Sequence, residues 1–96
     1  MAQEREDAAV SPEEIDSVIA ANVRALRARR RERQEDLALE LGWSRPTVGS
    51  LENGTRRVTV ADAVALCRAL EVDLRELMRG VDEEDLRALG FDGLRP

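Results

Sequence analysis

An all-α fold follows from three properties of the sequence. The hydrophobic share of 43% is almost entirely aliphatic, with aromatics at 2%, whereas sheets are usually enriched in aromatic and β-branched residues. The apolar residues recur at helical spacings of three and four, and no segment reads as a strand. Most of the segments with this period open at Ser, Thr or Asp, and several close at Gly, the residue types that begin and end helices. Ninety-six residues supply one compact core and too little chain for a second folded domain.

Residues 1–10 are polar and without pattern, and are expected to form a flexible acidic arm. At Ser11-Pro12-Glu13-Glu14 a capping hydroxyl, a proline suited to the first helical position and an acid placed for a capping box start the first helix. Its apolar stripe is Ile15, Val18, Ile19, Val23 and Leu26, fading into arginines near Arg30. Leu37, Ala38 and Leu41 form a second helix of about two turns, closed by Gly42, which tolerates the positive φ of a helix end. Ser44 caps a third helix that has Pro46 in its first turn and Val48 and Leu51 facing inward, and Asn53-Gly54 ends it.

Thr59 and Asp62 make a second capping box, opening a fourth helix whose expected buried side is Val60, Ala63, Val64, Leu66, Cys67 and Leu70. Asp73 caps a one-turn fifth helix with Leu74, Leu77 and Met78, stopped by Gly80. A short acidic helix over Asp82 to Leu89, ended by Gly90, leaves Leu86, Leu89 and Phe91 either folding back on helix 1 or crossing to a second subunit. The expected organisation is therefore an arm at 1–10, a domain at 11–80 and an acidic tail at 81–96.

The composition excludes several functions. There is no His and a single Cys, so a metal cage, a disulfide framework and His-based acid–base catalysis are not available within one chain. Cys67 falls on the buried side of a helix and reads as a small core residue. Nothing resembles a phosphate-cradling loop or a nucleophile with its base, so no enzyme, cofactor or metal is expected. No apolar run approaches the ~20 residues of a membrane span, and the acidic start lacks the apolar stretch of a secretory signal, so a cytoplasmic chain is expected.

A net charge of −5 argues at first against a nucleic-acid partner. Its distribution reverses that reading: residues 1–20 carry −5, residues 21–60 carry +4 and residues 61–96 carry −4. The basic middle holds Arg24, Arg27, Arg29, Arg30, Arg31 and Arg33 in one cluster, with Arg56 and Arg57 in another. The first cluster is either a partner-binding surface or a helical face balanced by its own acidic neighbours.

The informative stretch is Gln34 to Glu52, two short helices joined by a tight turn. Steeply crossing helices need a small residue at their close approach, a glycine in the turn and a branched apolar residue to lock the angle. Ala38, Gly42 and Val48 fall at the fifth, ninth and fifteenth positions counted from Gln34. Leu37, Leu41, Trp43 and Leu51 fill the inner faces, Trp43 standing as core. This is the spacing of a DNA-binding helix-turn-helix. Gln34-Glu35-Asp36-Leu37-Ala38, Leu41-Gly42-Trp43-Ser44 and Leu51-Glu52-Asn53-Gly54 resemble the Cro/cI (XRE-like) family. Leu26-Arg27 upstream, and Ala69-Leu70-Glu71-Val72 with Leu74 to Met78 downstream, extend the likeness over about residues 15–79.

The resemblance implies a compact five-helix lambda-repressor-like domain, here with a short extra C-terminal helix, whose third helix lies in the major groove. Arg45, Thr47 and Ser50 are then the base-contacting candidates, Arg45 as a bidentate partner of guanine, each against the alternative of a solvated surface residue. Gln34, at the start of helix 2, and Asn53, with at least one of Arg56 and Arg57 in the following loop, become phosphate contacts that set affinity and register. Arg27 and Glu52 would pair as a structural tie between helices 1 and 3. Glu32 and Arg33 depart from the Leu and Ser or Thr usual in relatives, leaving the join of helices 1 and 2 open. Gly49 weakens the reading helix by up to about 1 kcal/mol relative to Ala.

The function expected is a DNA-binding transcriptional regulator, acting as a repressor and as a homodimer on double-stranded DNA. The other class weighed is a protein-binding module or antitoxin whose acidic flanks dock a basic partner such as a toxin or RNA polymerase. The flanking acids should weaken nonspecific binding by competing mildly for the basic surface.

Overall fold

The structure, a computed structural model, describes residues 11–91. The expected arm at 1–10 and residues 92–96 of the expected tail lie outside the described residues. Among the described residues the chain forms six helices and no strand: α1 (Pro12–Arg29), α2 (Gln34–Leu41), α3 (Arg45–Glu52), α4 (Val60–Leu70), α5 (Leu74–Leu77) and α6 (Glu83–Ala88).

The caps read from sequence take up hydrogen bonds. Ser11 Oγ accepts from the Glu14 N–H at 3.2 Å, with Pro12 at the head of α1. Thr59 Oγ1 accepts from the Asp62 N–H at 3.0 Å, and Asp62 returns the bond from the Thr59 N–H at 3.1 Å, closing the capping box of α4. Each such cap contributes about 1 kcal/mol by satisfying a donor that the helix itself leaves free. Gly42 ends α2 at φ +73°, a conformation costly for any residue with a Cβ.

The join between α1 and α2 depends on side chains instead of a serine or threonine cap. Arg31 turns the chain at φ +57°, the Glu32 N–H donates to the Arg27 carbonyl, and Arg27 Nη1 donates to the Glu32 carbonyl at 2.7 Å. Asp36 then accepts from the Arg33 N–H at 2.9 Å and faces the Arg33 guanidinium. The backbone bond from Arg33, followed by its guanidinium, holds the Asp36 carboxyl below the usual carboxylate range.

The core sits where α1 to α5 meet. Its fully buried side chains are Val23 from α1, Leu37 from α2, Val48 and Leu51 from α3, Leu66 and Leu70 from α4 and Leu77 from α5. Burying each contributes about 1.5–3 kcal/mol, so the helix-turn-helix pair is anchored by the same leucines and valines that set its crossing. Trp43 and Cys67 are half-buried against this core, and desolvation pushes the Cys67 thiol up from its ordinary pKa, which keeps it a thiol.

Two residues expected in the core are not there. Val60 is 83% exposed and Val64 is 55% exposed. On a helix advancing about 100° per residue, Val64 lies roughly 160° from Leu66. The face centred on Leu66 therefore includes Asp62, Ala63 and Leu70 and excludes both valines. At the C-terminal end Val81 is buried in the core and Leu86 packs against it, so α6 folds back on its own domain. Phe91 lines a groove between α5 and α6 with Arg79 and Leu86, while Leu89 stays exposed.

Candidate nucleic-acid interface

The reading surface is built by α3. Ser44 Oγ accepts from the Thr47 N–H at 3.3 Å and lies 2.9 Å from Thr47 Oγ1, fixing the first turn. Val48 and Leu51, with no exposed surface, pin one side of the helix to the core. That leaves Arg45 exposed at the first helical position and Thr47 and Ser50 half-buried on the outer part of the helix. The Arg45 guanidinium has no hydrogen bond or ion pair among the described residues, so it is a cation at the head of the helix with all its donors unspent.

The far end of α3 is tied down by a buried carboxylate. Glu52 accepts from Arg27 Nε at 2.7 Å, from Arg27 Nη2 at 3.0 Å and from Gln34 Nε2 at 3.0 Å. Its backbone carbonyl accepts from Arg24 Nη1. The hydrogen bond to Glu52 is the main cause of the raised Arg27 pKa, above its already high ordinary value. The Arg27–Glu52 tie expected from the resemblance is therefore present, and Gln34 belongs to it as well. Because Nε2 carries two N–H groups and Glu52 takes one, Gln34 keeps a donor at the start of α2. The preceding residue, Arg33, has no side-chain acceptor, so the first N–H groups of α2 have no side-chain cap.

The loop after α3 folds back onto the helix. Thr55 donates from N and Oγ1 to the Ser50 carbonyl at 3.0 and 3.3 Å, and Asn53 Oδ1 accepts both donors of Thr55 at 3.2 and 2.8 Å. Asn53 keeps its Nδ2 donors unpaired among the described residues. Arg56 and Arg57, adjacent in sequence, diverge. Arg56 Nη2 donates to both Asp62 oxygens at 3.1 and 3.3 Å, and its guanidinium lies over the Trp43 ring at 4.7 Å from the centroid. Arg57 donates through Nε to Asp16 Oδ2 at 2.7 Å.

Four of the six arginines in the upstream cluster pair with acids of the domain itself, though most of the cluster stays exposed. Arg27 serves Glu52, Arg29 reaches Glu76, Arg30 reaches Glu32 and Glu71, and Arg33 faces Asp36. Of the two readings open from sequence, balance by acidic neighbours describes these arginines. Exposed positive charge near α3 is left with Arg45, Arg57 and Arg24, which is exposed and bonds only the Glu52 carbonyl among the described residues.

Sequence reasoning missed the supporting acids. Asp62 was legible as a capping residue, but its hold on Arg56 was not. Asp16 had a readable signal: it shares a helical face with Ile19, Val23 and Leu26, and an acid on an apolar stripe is buried and needs a partner. Among the described residues no cluster of His, Cys, Asp and Glu suits a metal ion, and no helix is long and apolar enough to cross a membrane.

A helix-turn-helix family model, HTH_3, matches residues 23–77, more than half of the chain. The fold is similar to the restriction-modification controller protein C.AhdI from Aeromonas hydrophila, with 34% identity, a TM-score of 0.61, and coverage of 65% of this chain and 94% of that one. An HTH_3 family transcriptional regulator from Vibrio cholerae shares the fold at 24% identity and a TM-score of 0.66, over 70% of this chain but only 38% of that longer chain. A hypothetical transcription factor, NHTF, from Neisseria does so at 22% identity and a TM-score of 0.65, over 83% of this chain and 90% of that one. No curated protein matches the chain.

Proposed function

The chain belongs to the HTH_3 family of helix-turn-helix proteins, and we propose that it is a sequence-specific DNA-binding transcriptional repressor working in the cytoplasm. The observation that carries this reading is α3 itself. Its inner side is locked by Val48 and Leu51, and its N-terminal turn presents Arg45 with no partner among the described residues. A helix held this way enters a major groove with its first turn against base edges. Arg45 bonds a guanine, a contact worth about 1–3 kcal/mol of discrimination, and Thr47 and Ser50 read neighbouring positions. Gln34, Asn53 and at least one of the two arginines of the following loop grip phosphates and set the register.

One chain presents one reading helix, so the protein acts as a homodimer on two half-sites about one helical turn, roughly 34–36 Å, apart. The exposed Val60 and Val64, on one side of α4, are apolar side chains that a second copy would cover. The similarity to a restriction-modification controller protein supports a regulatory role.

Titration of operator-like duplexes with the wild-type chain and with Arg45→Ala, at moderate salt, tests the proposal. The wild type should bind with two chains per duplex, and Arg45→Ala should bind about 5–150-fold more weakly, the equivalent of 1–3 kcal/mol. Full affinity in the variant would remove Arg45 from the reading surface.

A further inference from the structure

The two adjacent arginines of the loop after α3 are held in opposite ways. The Arg56 side chain is 35% exposed, its Nη2 is spent on both oxygens of Asp62, its face is covered by Trp43 and its Nε is shut off from solvent. Of this guanidinium only the Nη1 end is left for an external anion, without the pair of free parallel donors that a phosphate matches. The Arg57 side chain is 65% exposed and bonded only through Nε, so both terminal amino groups are unpaired among the described residues. Its partner Asp16 is buried, and the second oxygen of Asp16 accepts from the Val58 N–H at 3.1 Å. One carboxylate on α1 thus grips two consecutive loop residues across more than forty positions of sequence. Fixing the guanidinium at Nε directs the opposite edge, with its pair of parallel donors, away from the carboxylate. That edge is the one that matches a phosphate.

We infer that the two arginines divide the work on DNA: Arg57 is a phosphate ligand aimed by Asp16 as its positioning residue, whereas Arg56 touches no phosphate and holds the loop in shape between Trp43 and Asp62. This rests on the DNA-binding reading above and assigns separate roles within it. Holding the loop before DNA arrives removes an ordering cost from binding.

The salt dependence of binding separates the roles, because each neutralised phosphate adds about 0.9 to the slope of log K against log salt on duplex DNA. The full chain and its variants are titrated against one specific duplex over a range of salt, at a temperature where circular dichroism shows each to be folded. Arg57→Ala should lower the slope by about 0.9, and Arg57→Lys should restore it. Arg56→Ala should weaken binding with the slope unchanged, and Arg56→Lys should fail to rescue, since an ammonium cannot reproduce the stacked fork between Trp43 and Asp62. Asp16→Asn removes a negative charge, which by charge alone strengthens binding to DNA; loss of aim predicts weaker binding, with no further loss when it is added to Arg57→Ala. A slope that falls for Arg56→Ala, a slope that holds for Arg57→Ala, or tighter binding by Asp16→Asn would overturn the assignment. A wild-type chain that binds no duplex overturns the DNA-binding reading and this one with it.

Discussion

Replacing Glu52 by Gln tests how the reading helix is held to the rest of the domain. Glu52 is 3% exposed and accepts three hydrogen bonds, two from Arg27 and one from Gln34. The amide keeps the shape but leaves one acceptor oxygen and sets an N–H₂ group against donors. Arg27 cannot relieve the loss by giving up its proton, because a guanidinium stays charged at any ordinary pH. Breaking a buried pair from one side costs about 3–5 kcal/mol. The Arg27 side chain is 20% exposed, so water recovers part of this and the expected loss is at the lower end, about 3 kcal/mol. For a domain of this size that is a large fraction of total stability and lowers Tm by about 12–24 °C. Urea unfolding followed by circular dichroism should show a lower midpoint with an unchanged slope. The double replacement Arg27→Met with Glu52→Met should recover most of the loss, since it leaves no charge stranded. A cost below about 1 kcal/mol for Glu52→Gln would show that the buried carboxylate does not hold α3.

Two further outcomes follow from local geometry. A Cβ built at Gly49 meets nothing within 4 Å, so Gly49→Ala should stabilise α3 by about 1 kcal/mol and raise Tm by about 4–8 °C; an unchanged or lower Tm would mean the site is not open. Asp36 is held below its ordinary pKa by the Arg33 N–H, so its contribution is present above the unfolded carboxylate pKa and is lost as pH falls through the lower folded value. Acid titration of stability should therefore be shallower in Asp36→Asn than in the wild type, and identical curves would contradict the bond to Arg33.

What was legible in the sequence is what depends on neighbours along the chain. Ser11, Ser44 and Thr59 signal helix starts because a cap bonds residues three positions on, and Gly42 signals a stop because only the local φ matters. The crossing of α2 and α3 was readable because Ala38, Gly42 and Val48 recur at fixed offsets, and the Arg27–Glu52 tie came with the family resemblance. The errors and omissions lie where distant segments decide. Val60 and Val64 fit an apolar helical pattern, but the face that α4 turns inward is chosen by α1, α2 and α5, and both valines are left outside. Arg56 and Arg57 look equivalent as a basic pair. Their difference comes from Asp16 on α1 and from Trp43 at the turn, neither of which is close in sequence. The arginine cluster of residues 24–33 left two readings open in the sequence, because the partners Glu52, Glu71 and Glu76 come from distant helices.

The central claim is that α3 reads a defined DNA sequence through Arg45. Sequencing the duplex fragments selected from a random pool by the purified chain, in parallel with Arg45→Ala, tests it most directly. The wild type should enrich an inverted repeat with half-sites centred about 10 base pairs apart and a required guanine in each, and the variant should lose the requirement at that base alone. A pool with no enriched motif, or the same guanine required by both proteins, would contradict it.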